Sequence, residues 1–272
     1  MKGAALPVEI DLQGKTVIVT GAGRGIGRDI ALQAAESGAN VVLVSRSAGQ
    51  LDEVAAQIAE GAKKTGKGAA LAYPADINDK AVADELVKKT IERFGGVYAL
   101  VNNAGTNNIA NLVMAKEDDF RAVYELNVFA LFRLTKAVVR QMIRTKAGRV
   151  INISSVAAKF GSAYNSAYSS SKAAVLGFTR SVARETAQLG ITVNAICPWH
   201  VDTELVRESM ARRAKMFGKT ADEYLQGIID ESPQKRLIEG REIAALSIFL
   251  MSHGARGITG QSLNVCGGMM MD

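Results

Sequence analysis

A doubly wound α/β fold, with a mostly parallel sheet and helices on both faces, follows from three features of this 272-residue sequence. Short apolar runs alternate with amphipathic stretches almost throughout, the pattern of strand–helix–strand crossovers. The first run opens into a glycine cluster, Thr20-Gly21-Ala22-Gly23-Arg24-Gly25-Ile26-Gly27, and then into a helical pattern. Polar residues with chemistry to offer recur directly after predicted strands, where ligands sit in an open parallel sheet.

Residues 12–19 read as the opening strand. Residues 28–37 suit a helix, with Ile30, Ala31, Ala34 and Ala35 on one face, and Gly38 ends it before a buried strand at 41–44. Within this βαβ unit the glycines let backbone approach a pyrophosphate and aim helix N-terminal amides at it. A glycine cluster alone also suits a purely structural turn. A helix through Leu51, Val54, Ala55, Ile58 and Ala59 precedes a strand at 69–73, then Asp76-Ile77. A helix at 81–94 leads to a strand at 97–101 ending in Asn102-Asn103-Ala104-Gly105. Helices beginning near Asp118 and covering 129–143 are compatible with one continuous element through Asn127. A strand at 149–153 ends at Ser154-Ser155, and a helix at 168–189, a strand at 192–196, a helix at 239–251 and a strand at 262–265 complete the pattern. The strand ends thus gather the glycine cluster, Ser45-Arg46, Asp76, Asn103, Ser155 and Cys197-Pro198 at one sheet edge.

No linker, repeat or low-complexity tract divides the chain, so residues 1–272 are expected to form one domain. The sequence shows neither a secretory segment nor an apolar run of about 18 residues, which predicts a cytoplasmic protein without a membrane partner. Cys197 and Cys266 are its two cysteines; they suit a reducing compartment and give no metal-ligand spacing. A net charge of +6, from 33 basic and 27 acidic residues, is spread too widely for a nucleic-acid footprint. The local concentration at Arg207, Arg212, Arg213, Lys215 and Lys219 fits either a solvated helix face or recruitment of an anionic substrate.

Tyr168 and Lys172 stand at i and i+4, so both can face Ser155 across one helical side. A phenol with a reference pKa of roughly 10 is a poor base until a neighbouring cation favours its phenolate, which is the expected role of Lys172. Such a tyrosine protonates a developing alkoxide in one direction and accepts an alcohol proton in the other, with Ser155 holding the substrate oxygen. Taken singly, the three residues are as well explained by a packed tyrosine, a surface lysine and a serine turn.

With 20–27, 102–105, Asn127, Ser155, Tyr168 and Lys172 together, the chain resembles the short-chain dehydrogenase/reductase family over nearly its whole length. The resemblance implies a Rossmann-type fold, a nicotinamide cofactor and a homotetramer. It assigns Asn127, Ser155, Tyr168 and Lys172 to catalysis, Lys172 also to the nicotinamide ribose, and Asn127 to a water linking the lysine with solvent. It places Gly21, Arg24, Gly25, Ile26, Gly27, Asn103, Ala104, Gly105, Tyr168, Pro198, Val201 and Thr203 on the cofactor. Asp76 and Ile77 look like its adenine-contacting pair, although a loop-capping carboxylate is a second reading of Asp76. NAD-specific relatives carry an acid after the second strand, where this chain has Ser45-Arg46. A 2′-phosphate can accept from Ser45 and from a charge-assisted fork at Arg46, with Arg24 adding positive potential, so NADP(H) is preferred and NAD(H) is the alternative. Surface ion pairs are the other reading of Arg24 and Arg46. No metal is expected.

Where the family usually carries Pro-Gly, this chain has Pro198-Trp199-His200. Trp199 suits an aromatic wall beside the substrate, core packing or an interface. Residues 200–236 match the family's substrate lid, and Leu205, Val206, Met210, Met216, Phe217, Tyr224, Leu225 and Ile228 supply either an apolar substrate surface or a packed helix pair. The core is similar to 3-oxoacyl-carrier-protein reductases, and Ser262-Leu263-Asn264-Val265-Cys266-Gly267-Gly268 is similar to the end of aromatic-polyketide ketoreductases. Leu189 replaces an arginine common at a carrier-docking position, while Lys146 keeps a cation at a second. The expected substrate is a small-molecule carbonyl, a 3-oxoacyl thioester or related bulky ketone. The alternatives are oxidation of a free secondary alcohol and a noncatalytic dinucleotide sensor. Met269, Met270 and Met271 suit either an oligomer interface or a mobile tail.

Overall fold

The computed structural model describes residues 10–271; residues 1–9 and 272 of the expected single unit, and the side chain of Leu205, lie outside the described residues. Strands β1 (Thr16–Thr20), β2 (Asn40–Ser45), β3 (Ala69–Pro74), β4 (Ala99–Asn102), β5 (Gly148–Ile153), β6 (Ile191–Pro198) and β7 (Ser262–Val265) form one sheet. Its order is β3-β2-β1-β4-β5-β6-β7, with every neighbouring pair parallel. The strand order reverses between β1 and β4, which opens a crevice at their carboxyl ends.

The helices are α1 (Gly25–Glu36), α2 (Ala48–Thr65), α3 (Val82–Phe94), α4 (Glu117–Tyr124), α5 (Leu131–Thr145), α6 (Ala157–Phe160), α7 (Ser166–Thr186), α8 (Glu204–Met216), α9 (Ala221–Glu231) and α10 (Gly240–Met251). Ile30, Leu51, Ile243 and Met251 build the core on one face of the sheet; Leu86, Leu134, Val138 and Val193 build the other. Both faces of the central strands are therefore buried, which is why those strands read as unbroken apolar runs.

Several boundaries differ from the expectation for a physical reason. β1 begins at Thr16 because residues 12–15 form a turn, with the Lys15 amide donating to the Leu12 carbonyl at 2.9 Å and Gly14 at φ 72°. Leu12 is nevertheless buried, and its burial supplies the apolar signal that extends the run. α7 starts two residues before Tyr168 and passes into a 3₁₀ turn at Ala187–Leu189. α4 and α5 are continuous through Asn127, joined by a π-helical segment, Glu125–Ala130. The expected lid is a helix pair, α8 and α9, the latter opened by a capping box between Thr220 and Glu223. Met269 and Met270 pack against the chain's own Val156, Leu176, Cys197 and Cys266 cluster, while Met271 is exposed. Among the described residues no helix is long and apolar enough to cross a membrane.

Candidate active site

The turn after β1 is too tight for side chains at two positions. Gly21 has φ 65°, and a Cβ there would stand 2.8 Å from Asn103 Nδ2; at Gly27 it would collide with the Gly21 carbonyl. Thr20, which the sequence reading left unassigned, fixes this turn against the end of β4. Its hydroxyl accepts from the amides of Asn103 and Ala104, both at 3.0 Å, and donates to the Val101 carbonyl at 3.3 Å. Asn103 adds an Nδ2–H bond to the Thr20 carbonyl at 2.9 Å. The brace presents the first-turn amides of α1, at Gly25, Ile26 and Gly27, at the crevice, where they lack intrahelical acceptors and can bind phosphate oxygens.

Beside them, Ser45 ends β2 and Arg46 follows it, exposed and without an ion pair among the described residues. A Cβ at Gly23 would stand 3.3 Å from Ser45 Oγ, so the glycine turn and the end of β2 adjoin. Arg24 bonds Glu204 of α8 at 3.0 Å across the solvent-exposed surface. Asp76 Oδ1 accepts from the Asn78 amide at 3.0 Å, capping its own loop. Ile77 is buried, in the same apolar cluster as Val44 and Val82.

The proposed relay residues converge at the ends of β4, β5 and α7. Tyr168 hydrogen-bonds Ser155, whose Oγ also accepts from the Ala157 amide at 3.1 Å. Lys172, buried, donates to the Ile153 carbonyl at 2.8 Å, with Nζ 5.7 Å from the Tyr168 ring centre. A Cβ at Gly105 would stand 3.2 Å from Asn127 Oδ1 and 3.3 Å from Lys172 Nζ, so both side-chain ends lie close over this glycine.

One expectation needs correction. Burial pushes the Tyr168 phenol above its ordinary value, against the Ser155 hydrogen bond that pulls it down, whereas a lowered value was expected from Lys172. The lysine is itself desolvated, its pKa lowered to about 8, and its ammonium is directed at Ile153. Cys197, at the end of β6, lies within electrostatic reach of both. The Asn127 side chain is held by protein. Its Oδ1 accepts from the Thr106 amide at 2.8 Å, and its Nδ2 donates to the Thr106 carbonyl at 2.9 Å and Ser171 Oγ at 3.0 Å.

Beneath these residues runs a buried polar chain. Asn102 Nδ2 donates to Thr135 Oγ1 at 3.0 Å and to Asn152 Oδ1 at 2.9 Å, and Asn152 Nδ2 donates to Thr179 Oγ1 at 2.9 Å. It ties α5 and α7 to β4 and β5, fixing the helix that carries Tyr168 and Lys172. Thr20, Thr106, Ser171 and this chain escaped sequence reading because their partners lie far away in sequence.

On the lid side, Val201 is buried and bridges Ile238; the bonds run through His200 and Asp202, leaving Val201's own amide and carbonyl turned away from Ile238. The Pro198 carbonyl accepts from the Val156 amide at 3.0 Å. Thr203 caps α8 through Oγ1, and its Cγ2 would stand 3.2 Å from a Cβ at Gly25, placing the lid against the glycine turn. Trp199 meets His200 edge-on, ring centres 4.8 Å apart, and packs on the Cys197 and Cys266 cluster, its core-packing reading. Burial, then nearby Arg213, lowers the His200 pKa to about 4, so its ring is neutral at pH 7. Arg207 is occupied by Asp202 at 2.7 and 2.9 Å. Among the described residues there is no group of three His, Cys, Asp or Glu able to hold a metal.

The family described as short chain dehydrogenase matches residues 15–214. The 3-oxoacyl-(acyl-carrier-protein) reductase of Vibrio cholerae is 37% identical over 262 residues, covering 96% of this chain and 100% of the relative. That of Pseudomonas aeruginosa is 39% identical over 268 residues, with the same coverage. Among solved structures, NAD+-bound xylitol dehydrogenase superposes with a TM-score of 0.89 at 30% identity, covering 94% of this chain and 99% of its own. Levodione reductase gives 0.89 at 31%, covering 94% and 97%. These likenesses agree with the Rossmann-type sheet and its glycine turn: the chain belongs to the short-chain dehydrogenase family, as an NAD(P)-dependent oxidoreductase acting between CH–OH and C=O groups.

Proposed function

We propose that the protein is an NADPH-dependent carbonyl reductase whose substrate is a 3-oxoacyl thioester or related bulky ketone. The observation that carries the proton-transfer reading is geometric: the Tyr168 phenol hydrogen-bonds Ser155, and the buried Lys172 Nζ stands 5.7 Å from its ring centre. A protonated phenol is the form that donates to a developing alkoxide. A nicotinamide dinucleotide, when bound, supplies the hydride. The chain's residues hold it through the first-turn amides of α1, through 103–105 along its length and through Lys172 at its ribose, with Pro198, Val201 and Thr203 near the carboxamide. Ser45 and Arg46 take the 2′-phosphate, since this strand end has no acid to hydrogen-bond a ribose diol. Ser155 then orients the substrate oxygen, Tyr168 gives up its proton, and Lys172 favours the phenolate left behind.

The thioester is supported by full-length similarity to 3-oxoacyl-(acyl-carrier-protein) reductases. Similarity to NAD+-bound xylitol dehydrogenase favours a second reading, oxidation of a secondary alcohol with NAD. We also place the enzyme in the cytoplasm as a homotetramer; Phe129 and Phe132, 50% and 45% exposed, give this assembly an apolar surface to cover. Assay of both cofactors against 3-oxoacyl thioesters, ketones and secondary alcohols, with Tyr168→Phe as the blank, tests the reading. Thioester-dependent NADPH oxidation lost in the blank is expected; NAD reduction by alcohols without thioester turnover would replace it with the second reading.

A further inference from the structure

Four residues before Tyr168, Tyr164 has φ 64°, a left-handed conformation that bulky side chains rarely adopt. Its carbonyl accepts from the Ala110 amide at 2.9 Å, which ties it to the loop following β4. Its ring meets Phe217 edge-on at 5.6 Å, and Phe217 stacks on Tyr224 at 6.1 Å with planes 5° apart. Phe217 directly follows α8 and Tyr224 lies in α9, so this ladder joins the tip of the lid to the loop before α7, the helix that carries Tyr168.

The other end of α8 is already placed, with Thr203 against Gly25 and Glu204 paired to Arg24. α8 has 13 residues, a span of about 20 Å at 1.5 Å per residue. Its first end therefore adjoins the nucleotide turn, and Phe217 just past its other end meets Tyr164 of the loop before α7. Val206, Met210, Ala214 and Phe217 recur at helical spacing along one side, and Met210 and Ala214 are buried. At the ladder the apolar surface emerges: Tyr164 and Phe217 are 36% and 47% exposed, and Leu112, Val113 and Met114, just beyond Ala110, are 73–85% exposed. A lid held only for its own stability has no need of large apolar faces left in water, nor of a tyrosine where glycine fits the backbone without strain.

We propose that Tyr164 is a specificity-determining residue: with Phe217 and Tyr224 it forms an aromatic clamp that selects carbonyl substrates bearing an aromatic or cyclic group beside the C=O over short aliphatic ones. The clamp rests on the carbonyl-reductase reading for its reacting group, and its selectivity comes from ring-on-ring contact, strongest for offset or edge-to-face pairs.

The test uses two N-acetylcysteamine thioesters with the same 3-oxo group, benzoylacetyl and acetoacetyl, on full-length wild type, Tyr164→Gly and Tyr164→Phe. Glycine accepts φ 64°, so Tyr164→Gly removes the ring without forcing the backbone. In wild type, kcat/KM with NADPH is expected to favour the benzoylacetyl ester at least tenfold; the ratio falls towards one in Tyr164→Gly and persists in Tyr164→Phe. The same preference is read without turnover from Trp199 fluorescence in NADP+-loaded protein, since Trp199 is the single tryptophan. Absence of turnover with either ester, while Tyr164→Gly still removes the binding preference, defeats the thioester-reductase reading and keeps the clamp. No preference in wild type, or a ratio unchanged by Tyr164→Gly, overturns the clamp.

Discussion

Arg24 of the glycine-rich turn donates a hydrogen bond to the Glu204 carboxylate, 3.0 Å away at the first position of α8. The two residues are 180 positions apart, and their side chains are 50% and 68% exposed. An ion pair so exposed contributes about 0–1 kcal/mol to stability. Under the proposed NADPH reading its importance lies in competition, because Arg24 donors given to Glu204 are withheld from a 2′-phosphate.

Glu204→Gln should therefore tighten NADPH binding about three- to tenfold, the equivalent of about 0.6–1.4 kcal/mol, and leave NADH affinity and melting temperature nearly unchanged. Titration of nicotinamide fluorescence with both cofactors reads this directly. Equal tightening of both would remove Arg24 from the phosphate site.

Arg46→Ala should weaken NADPH about 10- to 100-fold, as expected for loss of a charged hydrogen bond of about 1.5–3 kcal/mol. Calorimetric titration should show little change for NADH; a matched loss for both cofactors would mean that Arg46 acts on something other than the phosphate.

Tyr168→Phe should lower kcat by about 10²–10⁴ while the protein still binds cofactor. Stopped-flow reduction of the preferred substrate, alongside cofactor titration, separates the two effects. A variant that keeps its rate would transfer the proton donor to another group.

Lys172 carries a stability signature. Its folded pKa is about 8 against an ordinary 10.5, so the unfolded chain binds the additional proton between these values. Its contribution to stability is least favourable below pH 8 and improves as pH rises towards 10.5. Lys172→Met should thus melt higher than wild type at pH 7, with the gap closing by pH 10. The full shift corresponds to about 3 kcal/mol, reduced by the lost bond to Ile153. A gap independent of pH would show that the buried ammonium is not its source.

Glu242 behaves in the opposite sense. Arg236 beside it, together with the Glu239 amide, holds its carboxylate at about 2 against an ordinary 4.5. Its contribution is complete above pH 4.5 and lost as pH falls towards 2. Glu242→Gln should flatten the acid limb of a melting-temperature profile across that range, and an unchanged limb would assign acid unfolding elsewhere.

The glycine turn, the alternation of strands and helices, and the Tyr168 and Lys172 spacing were legible because each is a local pattern: a steric demand, a burial period, one turn of helix. Ser155 was legible through its place after a strand. What escaped depends on neighbours supplied by the fold. Nothing around residue 24 announces Glu204, and nothing around Asn127 announces Thr106. The direction of the Tyr168 shift depends on how much water the assembled site excludes, a quantity that i, i+4 spacing does not carry. Met269 and Met270 read equally as interface or tail because their receiving surface, around Cys197 and Val156, comes from other parts of the chain.

The π-helical segment at Glu125–Ala130 has a consequence for insertions and deletions. A π turn accommodates one more residue than an α turn, and one residue rotates a helix by about 100°. Removing a single residue there would let 117–145 close into uninterrupted α-helix, at the expense of either Asn127's grip on Thr106 or the phase that buries Leu134 and Val138. The segment is thus a phase shifter that lets one continuous rod serve a catalytic cleft at its middle and a hydrophobic core beyond it.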